Sequence, residues 1–473
     1  MNVAMYVFND CRTDARVLRE ARALAEAGHR VTIVARHDDA STASREVRDG
    51  FEVVRVAVPT LPYGIWAFAR YPWRLRRAAA EAFRAGRRRR LRGVHFFVLA
   101  AAILIAAGAW SLVRLPVLLL ARAVQRMLRR RPTAGGDLLD WLARWQFRVM
   151  PWAQQAARIV PDADVHHAHD LSGLPAAIEA GRGRSRPVVY DSHEVFLESG
   201  SNAVRPNWVR KRFALREQAW IRETAGLVTV NDDVAAELRR RYEVPPITVV
   251  HNCPPRWTPP AIPEDRIRTA AGIPGDAVVA LYHGAFSPHR GLEQLALSIL
   301  EPGMDDVHAV FLGYGSQRSM LEGMARDGRW RGRLHVLPAV AIDEVVPWVA
   351  GADVEVIAVE PSTLNHVLAT PNKLFEALAA GVPAVVSDFP VMRRIVTGGP
   401  DGPLGATCDP TPESVARAIR LVVDRTPEER ATLRARCLRA AHDRWNWETE
   451  STALLELYER LERRIVPVSA ATV

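Results

Sequence analysis

The chain alternates twice between short apolar strands and amphipathic helices, and a proline-rich connector divides the two runs. "NVAMYVF", "DARVLREARALAEAGH" and "RVTIVAR" read as strand, helix and strand at the start of the chain. Two strands joined by a helix in so little sequence are parallel, because the crossover helix returns the chain to the same end of the sheet. The rhythm resumes at "DADVHHAH" and runs through "PVVYDSH", "AGLVTV", "DDVAAELRRRY" and "PITVVHN". Beyond "PPRWTPPAIP" a second run begins, with "AVVALYHG", "GLEQLALSIL", "VHAVFLGYG", "SQRSMLEGMA", "RLHVLP", "ADVEVIAV" and "VPAVVSD". The expected fold class is therefore α/β, with two doubly wound Rossmann-like domains facing each other across a cleft. Ligands are expected at the carboxyl ends of the strands. The expected boundaries are a first domain over 1–253, a linker over 254–263, a second domain over 264–440 and a helical C-terminal segment over 441–473.

Residues 60–155 interrupt the first run. "GVHFFVLAAAILIAAGAWSLV", residues 93–113, has no formal charge and about the length of a helix that spans a bilayer. Arg84, Arg87, Arg88, Arg89, Arg90 and Arg92 precede it, and Arg122, Arg126, Arg129, Arg130 and Arg131 follow it. Both flanks must stay on one side, because residues 1–57 share a sheet with residues 160–250. Both arginine clusters prefer the cytoplasmic side. A re-entrant hairpin bent near Pro116, or a helix lying in the interface, satisfies these constraints. Trp66, Tyr71, Trp73 and Trp110 then sit at headgroup level. The expected partner is an anionic membrane surface met by residues 60–131, with the arginines on the headgroups. The competing reading is a buried core helix or an oligomer contact. Nucleic acid is not expected, since the basic clusters bracket an apolar run and do not alternate with stacking aromatics.

Composition adds limits. The chain of 473 residues has 48% hydrophobic and 25% charged residues, which is ordinary for globular domains. Its net charge is +10, and only Lys211 and Lys373 are lysines. Cys11, Cys253, Cys408 and Cys437 are scattered and read as free thiols in a reducing compartment. "MNVAMYVFND" has no secretory pattern, so the expected location is the cytoplasmic face of the plasma (inner) membrane, monotopic or peripheral.

The stretch "ATPNKLFEALAAGVPAVVSD" carries the chemistry. Thr370 is the expected N-cap and Pro371 the first helical residue. Gly381 ends the helix and Pro383 prevents its continuation. Leu374, Phe375 and Leu378 share one face, while Asn372, Lys373 and Glu376 share the other. A helix N-terminus with unpaired N–H groups suits phosphate oxygens. Lys373 adds a full charge there, and Glu376, one turn deeper, is placed to accept from a pair of sugar hydroxyls.

"PNKLFEALAAGVPAVVSD" resembles the donor-site segment of retaining GT-B glycosyltransferases of family 4 (group 1), in the "PNKLFE" form of the motif. The resemblance covers most of the chain outside residues 60–155. It implies that Glu376 binds the ribose of a nucleotide sugar. "HGAFSPHRGLEQL" is similar to the family's glycine loop, which binds pyrophosphate through an Arg and a Lys. Arg290 stands at the Lys position and Gly284 in the loop, while Ala285 replaces the Arg. "FLGYGSQRSML" resembles the family's glycine-bearing strand end at Gly313 and Gly315. "WNWETESTALLELYERL" resembles the closing helix that crosses back to the first domain. Leu368 stands where the family's usual signature carries its first glutamate, the one that contacts the transferred sugar. Asn365 and His366 are the nearest substitutes.

On the other side of the cleft, "VVYDSHEVF" places Asp191, His193 and Glu194 past a strand end. The resemblance implies that a His at the position of His193 lies near the reacting carbon, where it hydrogen-bonds the sugar or orients the acceptor. "HHAHD", residues 166–170, invites a zinc reading, against which stands a strand end facing the cleft with Asp170 lining it. Family resemblance implies no bound metal. Asp14 and Arg16 in "NDCRTDARV" are candidate acceptor contacts, or else cap and pair locally.

The expected catalytic set is His193, Arg290 and Lys373, and the expected donor set is Gly284, Arg290, Gly313, Gly315, Thr370, Asn372, Lys373 and Glu376. Asp14, Arg16, Asp170 and Glu194 are expected on the acceptor side. The expected activity is sugar transfer, with retention, from a nucleotide diphosphate donor to a membrane-linked acceptor, for example a polyprenyl-diphosphate sugar in cell-surface polysaccharide or glycolipid synthesis. No cofactor or essential metal is expected. The alternatives are a non-catalytic membrane-bound subunit that keeps the fold, and a nucleotide-sugar epimerase.

Overall fold

The computed structural model describes residues 1–37, 43–58, 138–261 and 264–465. Strands β1 (Asn2–Val7), β2 (Arg30–His37), β3 (Arg45–Arg48), β4 (Phe51–Ala57), β5 (Val165–His169), β6 (Val188–Ser192), β7 (Gly226–Thr229) and β8 (Ile247–Val249) form the first sheet, in the order β3-β4-β2-β1-β5-β6-β7-β8. All its pairings are parallel except β3 with β4. The second sheet is parallel throughout. It is built from β9 (Val278–Ala285), β10 (Val307–Tyr314), β11 (Leu334–Pro338), β12 (Val354–Ile357), β13 (Ala384–Ser387) and β14 (Gly405–Cys408), in the order β11-β10-β9-β12-β13-β14. Each is a doubly wound α/β sheet, as the alternation predicts.

The order of connection reverses between β1 and β5 in the first sheet and between β9 and β12 in the second. The loops after β1 and β9 therefore leave the sheets where ligand crevices form. Central strands are apolar on both faces because helices cover both. In β1 every residue from Val3 to Val7 is buried.

Residues 93–113 and both arginine clusters lie outside the described residues. Among the described residues, no helix is long and apolar enough to cross a membrane. The end of the stretch read as an insertion belongs to the first domain's core. Helix α2 (Leu138–Arg144), a π-helical turn (Trp145–Val149) and α3 (Met150–Ala156) follow one another without a break and lead through a short loop to β5. Trp152 is fully buried, and the Trp141 ring lies 4.4 Å from that of Phe213. This stretch is apolar because it is a packed crossover.

The last described helix, Trp447–Ile465, buries Leu454, Leu457 and Tyr458 with Val3, Met5 and Val7 of β1. After the second domain, the chain thus returns to pack on the first. The Tyr458 hydroxyl reaches His167 Nδ1 at 2.8 Å.

Candidate functional site

The cleft is built from strand ends. In the first domain, the loop after β1 folds on Asn9. Its Oδ1 accepts from the Cys11 N–H at 2.8 Å and its Nδ2 donates to Asp14 Oδ2 at 2.8 Å. Asp14 then caps α1 (Ala15–Glu26) by accepting from the Val17 N–H. Its carboxylate is committed to the cap and to Asn9 while still lining the cleft.

Arg16, expected at the acceptor, points inward. Its Nε donates to Asp191 Oδ2 at 2.7 Å, its Nη2 to Asp191 Oδ1 at 2.8 Å and its Nη1 to the Val250 carbonyl at 2.7 Å. Glu20 Oε1 lies 3.1 Å from Nε. The side chain is 3% exposed, so its donors are spent on structure. Burial opposes ionisation of Asp191, but Arg16 and then His193 outweigh it and hold the carboxyl well below its ordinary range. Burial, reinforced by Asp191, pushes Glu20 well above its ordinary value.

His193 sits past the end of β6. Its Nε2 donates to Asp191 Oδ2 at 2.8 Å, and its Nδ1 lies 3.5 Å from Asp170 Oδ2. Burial disfavours its charge, yet Asp170 and Asp191 prevail and raise its pKa to about 10. At neutral pH His193 is therefore an imidazolium facing the cleft: a hydrogen-bond donor, not a base. Glu194 Oε2 accepts from Asn365 Nδ2 at 2.7 Å, and Asn365 Oδ1 accepts from the Val195 N–H at 3.2 Å. Asn365 thus joins the two domains.

The histidine run partly satisfies a metal geometry. His167, His169, Glu20 and Asp191 offer ligand atoms that all lie within 4.8 Å of one another, and the His167 and His169 rings stack at 4.6 Å. These are the described residues that could hold an ion. The Arg16 guanidinium already stands against both carboxylates and supplies the positive charge an ion would bring.

In the second domain, the helices Leu364–Leu368 and Asn372–Ala379 flank Thr370. The latter helix starts one residue later than predicted. Pro371 takes the cap position with ψ 138° and no side-chain cap. The Thr370 hydroxyl instead accepts from Asn231 Nδ2 at 3.2 Å, across the cleft. Gly381 ends the helix with φ +71°, as predicted. Asn372 Oδ1 accepts from Asn252 Nδ2 of the first domain at 3.0 Å.

Lys373 Nζ lies 3.3 Å from the centroid of the Tyr282 ring and close to Gly284. A Cβ on Gly284, where φ is +106°, stands 3.7 Å from that nitrogen. Desolvation, with Arg290 adding repulsion, lowers the Lys373 pKa to about 7 despite Glu355 and Glu376. Arg290 lines the same cleft. Among the described residues, neither Arg290 nor Lys373 has a carboxylate within ion-pair distance. Gly313 lets β10 close on this loop, since a Cβ there meets the Gly284 carbonyl oxygen at 1.9 Å. A Cβ on Gly315 would likewise clash, 2.3 Å from the Phe286 carbonyl oxygen.

Glu376 turns to the adjoining crevice. Its Oε2 accepts from His283 Nε2 at 2.9 Å, and Arg19 of the first domain approaches Oε1 at 4.0 Å. Two neighbouring spaces result. One, about 520 Å³, lies among Asp14, His193, Glu194, Arg290, Thr370 and Asn372. The other, about 470 Å³, lies among Arg19, Trp257, Ala341 and Glu376, and shares Thr13 and Ala15 with the first. Geometry alone suits an elongated anionic ligand with a hydroxylated end.

Residues 277–425 match the family model described as glycosyl transferases group 1, and residues 116–253 match that of glycosyltransferase family 4. The chain belongs to the group 1, family 4 glycosyltransferases. Its curated relatives include the D-inositol 3-phosphate glycosyltransferase of Xylanimonas cellulosilytica, 27% identical over 317 residues, which are 64% of this chain and 73% of that one. The GDP-mannose-dependent alpha-(1-6)-phosphatidylinositol dimannoside mannosyltransferase of Mycobacterium tuberculosis is 36% identical over 80 residues, 17% of this chain and 19% of that one. Sucrose-phosphate synthase of Thermosynechococcus elongatus has the same fold, with a TM-score of 0.65 at 16% identity over 98% of this chain and 100% of that one. Anabaena Alr3699/HepE, solved with UDP and glucose, gives 0.62 at 13% identity over 97% and 100%.

Sequence reasoning about this glycosyltransferase left several site residues unassigned. His283 stands in "HGAFSPHRGLEQL", where the resemblance assigns it no role. Glu355 is a fully buried acid in the apolar strand "ADVEVIAV", and a charge in such a strand signals a buried partner. Asn231 caps its own helix and Arg19 bonds Asn252, but their contacts with Thr370, Asn372 and Glu376 cross to the other domain and have no local signal.

Proposed function

We propose that this glycosyltransferase transfers a sugar, with retention, from a nucleoside diphosphate donor to a lipid-linked acceptor at the cytoplasmic face of the membrane. One observation carries the reading: among the described residues, neither Arg290 nor Lys373 has a carboxylate within ion-pair distance, and both stand at the cleft end of the second sheet, opposite the His193 imidazolium. The diphosphate lies on these two cations and on the first N–H groups of helix Asn372–Ala379. The ribose turns toward Glu376, and the base enters the 470 Å³ crevice past Ala341. As the glycosidic bond loosens, negative charge grows on the diphosphate, and Arg290 and Lys373 stabilise it more in the transition state than in the ground state. No essential metal is needed for that role.

The cleft carboxylates are otherwise engaged: Asp14 with Asn9, Asp170 beside His193, and Glu194 with Asn365. This supports attack by the acceptor from the leaving-group face over a covalent intermediate. HepE was solved with UDP-glucose and the mycobacterial relative is GDP-mannose-dependent, so uridine and guanosine diphosphate sugars are the donors to try. The acceptor class rests on the uncharged stretch 93–113 and its arginine flanks, together with the phosphatidylinositol-linked acceptor in that relative's name.

Purified protein offered UDP- and GDP-sugars is expected to release nucleoside diphosphate slowly without acceptor, and Glu376→Ala and Lys373→Ala to abolish release. Flotation with anionic vesicles tests the membrane role. A protein that binds neither nucleotide is a scaffold, a reading that Leu368 and Ala285 favour. Interconversion of free nucleotide sugars marks an epimerase.

A further inference from the structure

Behind Glu376 lies a second acid that the donor reading does not use. His283, at the end of β9, is sandwiched between them. Its Nε2 donates to Glu376 Oε2 at 2.9 Å, and its Nδ1 lies 3.1 Å from Glu355 Oε1 on the neighbouring β12. Glu355 Oε1 also accepts from the His283 backbone N–H at 3.3 Å. Glu355 is fully buried, and its Oε2 has no hydrogen-bond partner among the described residues. Burial works against a charged His283, but Glu355 and then Glu376 overcome it and lift the pKa to about 9. Between two acids, the ring is an imidazolium: its Nε2–H bonds Glu376, while its Nδ1 pairs with Glu355 by charge and, among the described residues, makes no hydrogen bond of its own.

The arrangement fixes one oxygen of Glu376 and leaves Oε1 at the crevice, where the Arg19 guanidinium stands 4.0 Å away.

We propose that His283 and Glu355 are positioning residues for the donor, acting through Glu376: the Glu355–His283–Glu376 chain holds one carboxylate oxygen so that the other takes the ribose hydroxyls. The proposal rests on the donor-site reading above. Neither residue touches substrate, so a readout is needed that a merely structural role leaves unmoved.

The experiment measures binding of UDP and GDP, and of their 2′,3′-dideoxy counterparts, to the full chain and to His283→Gln, Glu355→Gln and Glu376→Ala, with thermal melting as a check on folding. His283→Gln and Glu355→Gln are expected to weaken the ribonucleotide by about tenfold, the value of a hydrogen bond to a charged group, and to leave the dideoxy analogue unchanged. Donor KM rises while kcat changes less. Equal weakening of ribo and dideoxy forms in both variants, or no weakening, overturns the proposal. Should His283→Gln fail to fold, Glu355→Gln decides by the same comparison. Loss of ribose discrimination in Glu376→Ala alone overturns the chain and keeps the donor site. Intact discrimination in Glu376→Ala overturns both.

Discussion

Arg16 and Asp191 form a buried bidentate pair that ties the first helix to the end of β6, with both guanidinium–carboxylate bonds shorter than 2.9 Å. His193 hangs from the same carboxylate, so the orientation of the cleft imidazolium depends on a residue that does not itself reach the acceptor. Replacing Arg16 with Met leaves Asp191 without its strongest partner in a buried site. The expected cost is about 3–5 kcal/mol of stability, read as a lower urea midpoint. Arg16→Lys recovers only part of it, since a single ammonium cannot reproduce the fork. An Arg16→Met protein as stable as the parent would show that the pair contributes little.

The pH dependence of the reaction follows from His193. Its pKa is raised to about 10, so the charged form is complete at neutral pH and is lost as pH rises through that value. The stability tied to this charge has the same sign: present below the ordinary histidine pKa and lost as pH climbs through about 10. The expected kcat/KM profile is flat from pH 7 to 9 as far as this group is concerned, and falls above. In Asp191→Asn the fall moves toward neutral pH. In His193→Gln the limb due to this group is gone, with activity reduced throughout. A limb near pH 6.5 that disappears in His193→Gln would show an ordinary histidine instead.

Lys373 behaves in the opposite sense. Desolvation holds its pKa at about 7 in the free protein, so a part of the population is neutral there. A diphosphate on the ammonium restores the ordinary preference for charge. Donor binding at pH 8 is therefore expected to take up protons, measured by calorimetry in buffers of different ionisation enthalpy. Lys373→Met removes the uptake, and Arg290→Ala, which leaves the desolvated lysine in place, keeps most of it, because burial is the larger cause of the lowered Lys373 pKa. Each substitution is expected to lower kcat by about 10²–10³, the range for a lost transition-state donor.

How much of this the sequence exposed differs by region. The alternation of apolar strands and helices specified two parallel sheets, because burial on both faces leaves continuous apolar runs such as Val3–Val7. Arg290, Lys373 and Glu376 were legible because one loop and one helix N-terminus carry them. The hairpin of β3 and β4 was passed over, although Asp49-Gly50, both at positive φ, is a strong turn signal. Arg16 was read as an acceptor contact because its loop faces the cleft, while the partner that turns it inward lies 175 positions away. His283 was invisible for the same reason, with Glu355 and Glu376 at separations of 72 and 93.

Leu368 is the position where the family's usual glutamate is missing, and restoring it is expected to harm the enzyme. Its side chain packs on the apolar core of the first domain, and its carbonyl oxygen accepts from Asn231 Nδ2 at 2.8 Å. The position serves as an interdomain contact, stabilised by apolar burial and a backbone bond, and Asn365 one turn earlier braces Glu194 and Val195. A carboxylate at 368 would have to be desolvated against that core, at a cost of about 1–3 kcal/mol or more for an unpartnered polar group. Leu368→Glu should therefore lower kcat/KM by at least about tenfold, and Leu368→Met should remain close to the parent. A gain of activity in Leu368→Glu would mean that the glutamate reaches the sugar from this site after all, and that the contact across the domains yields to it.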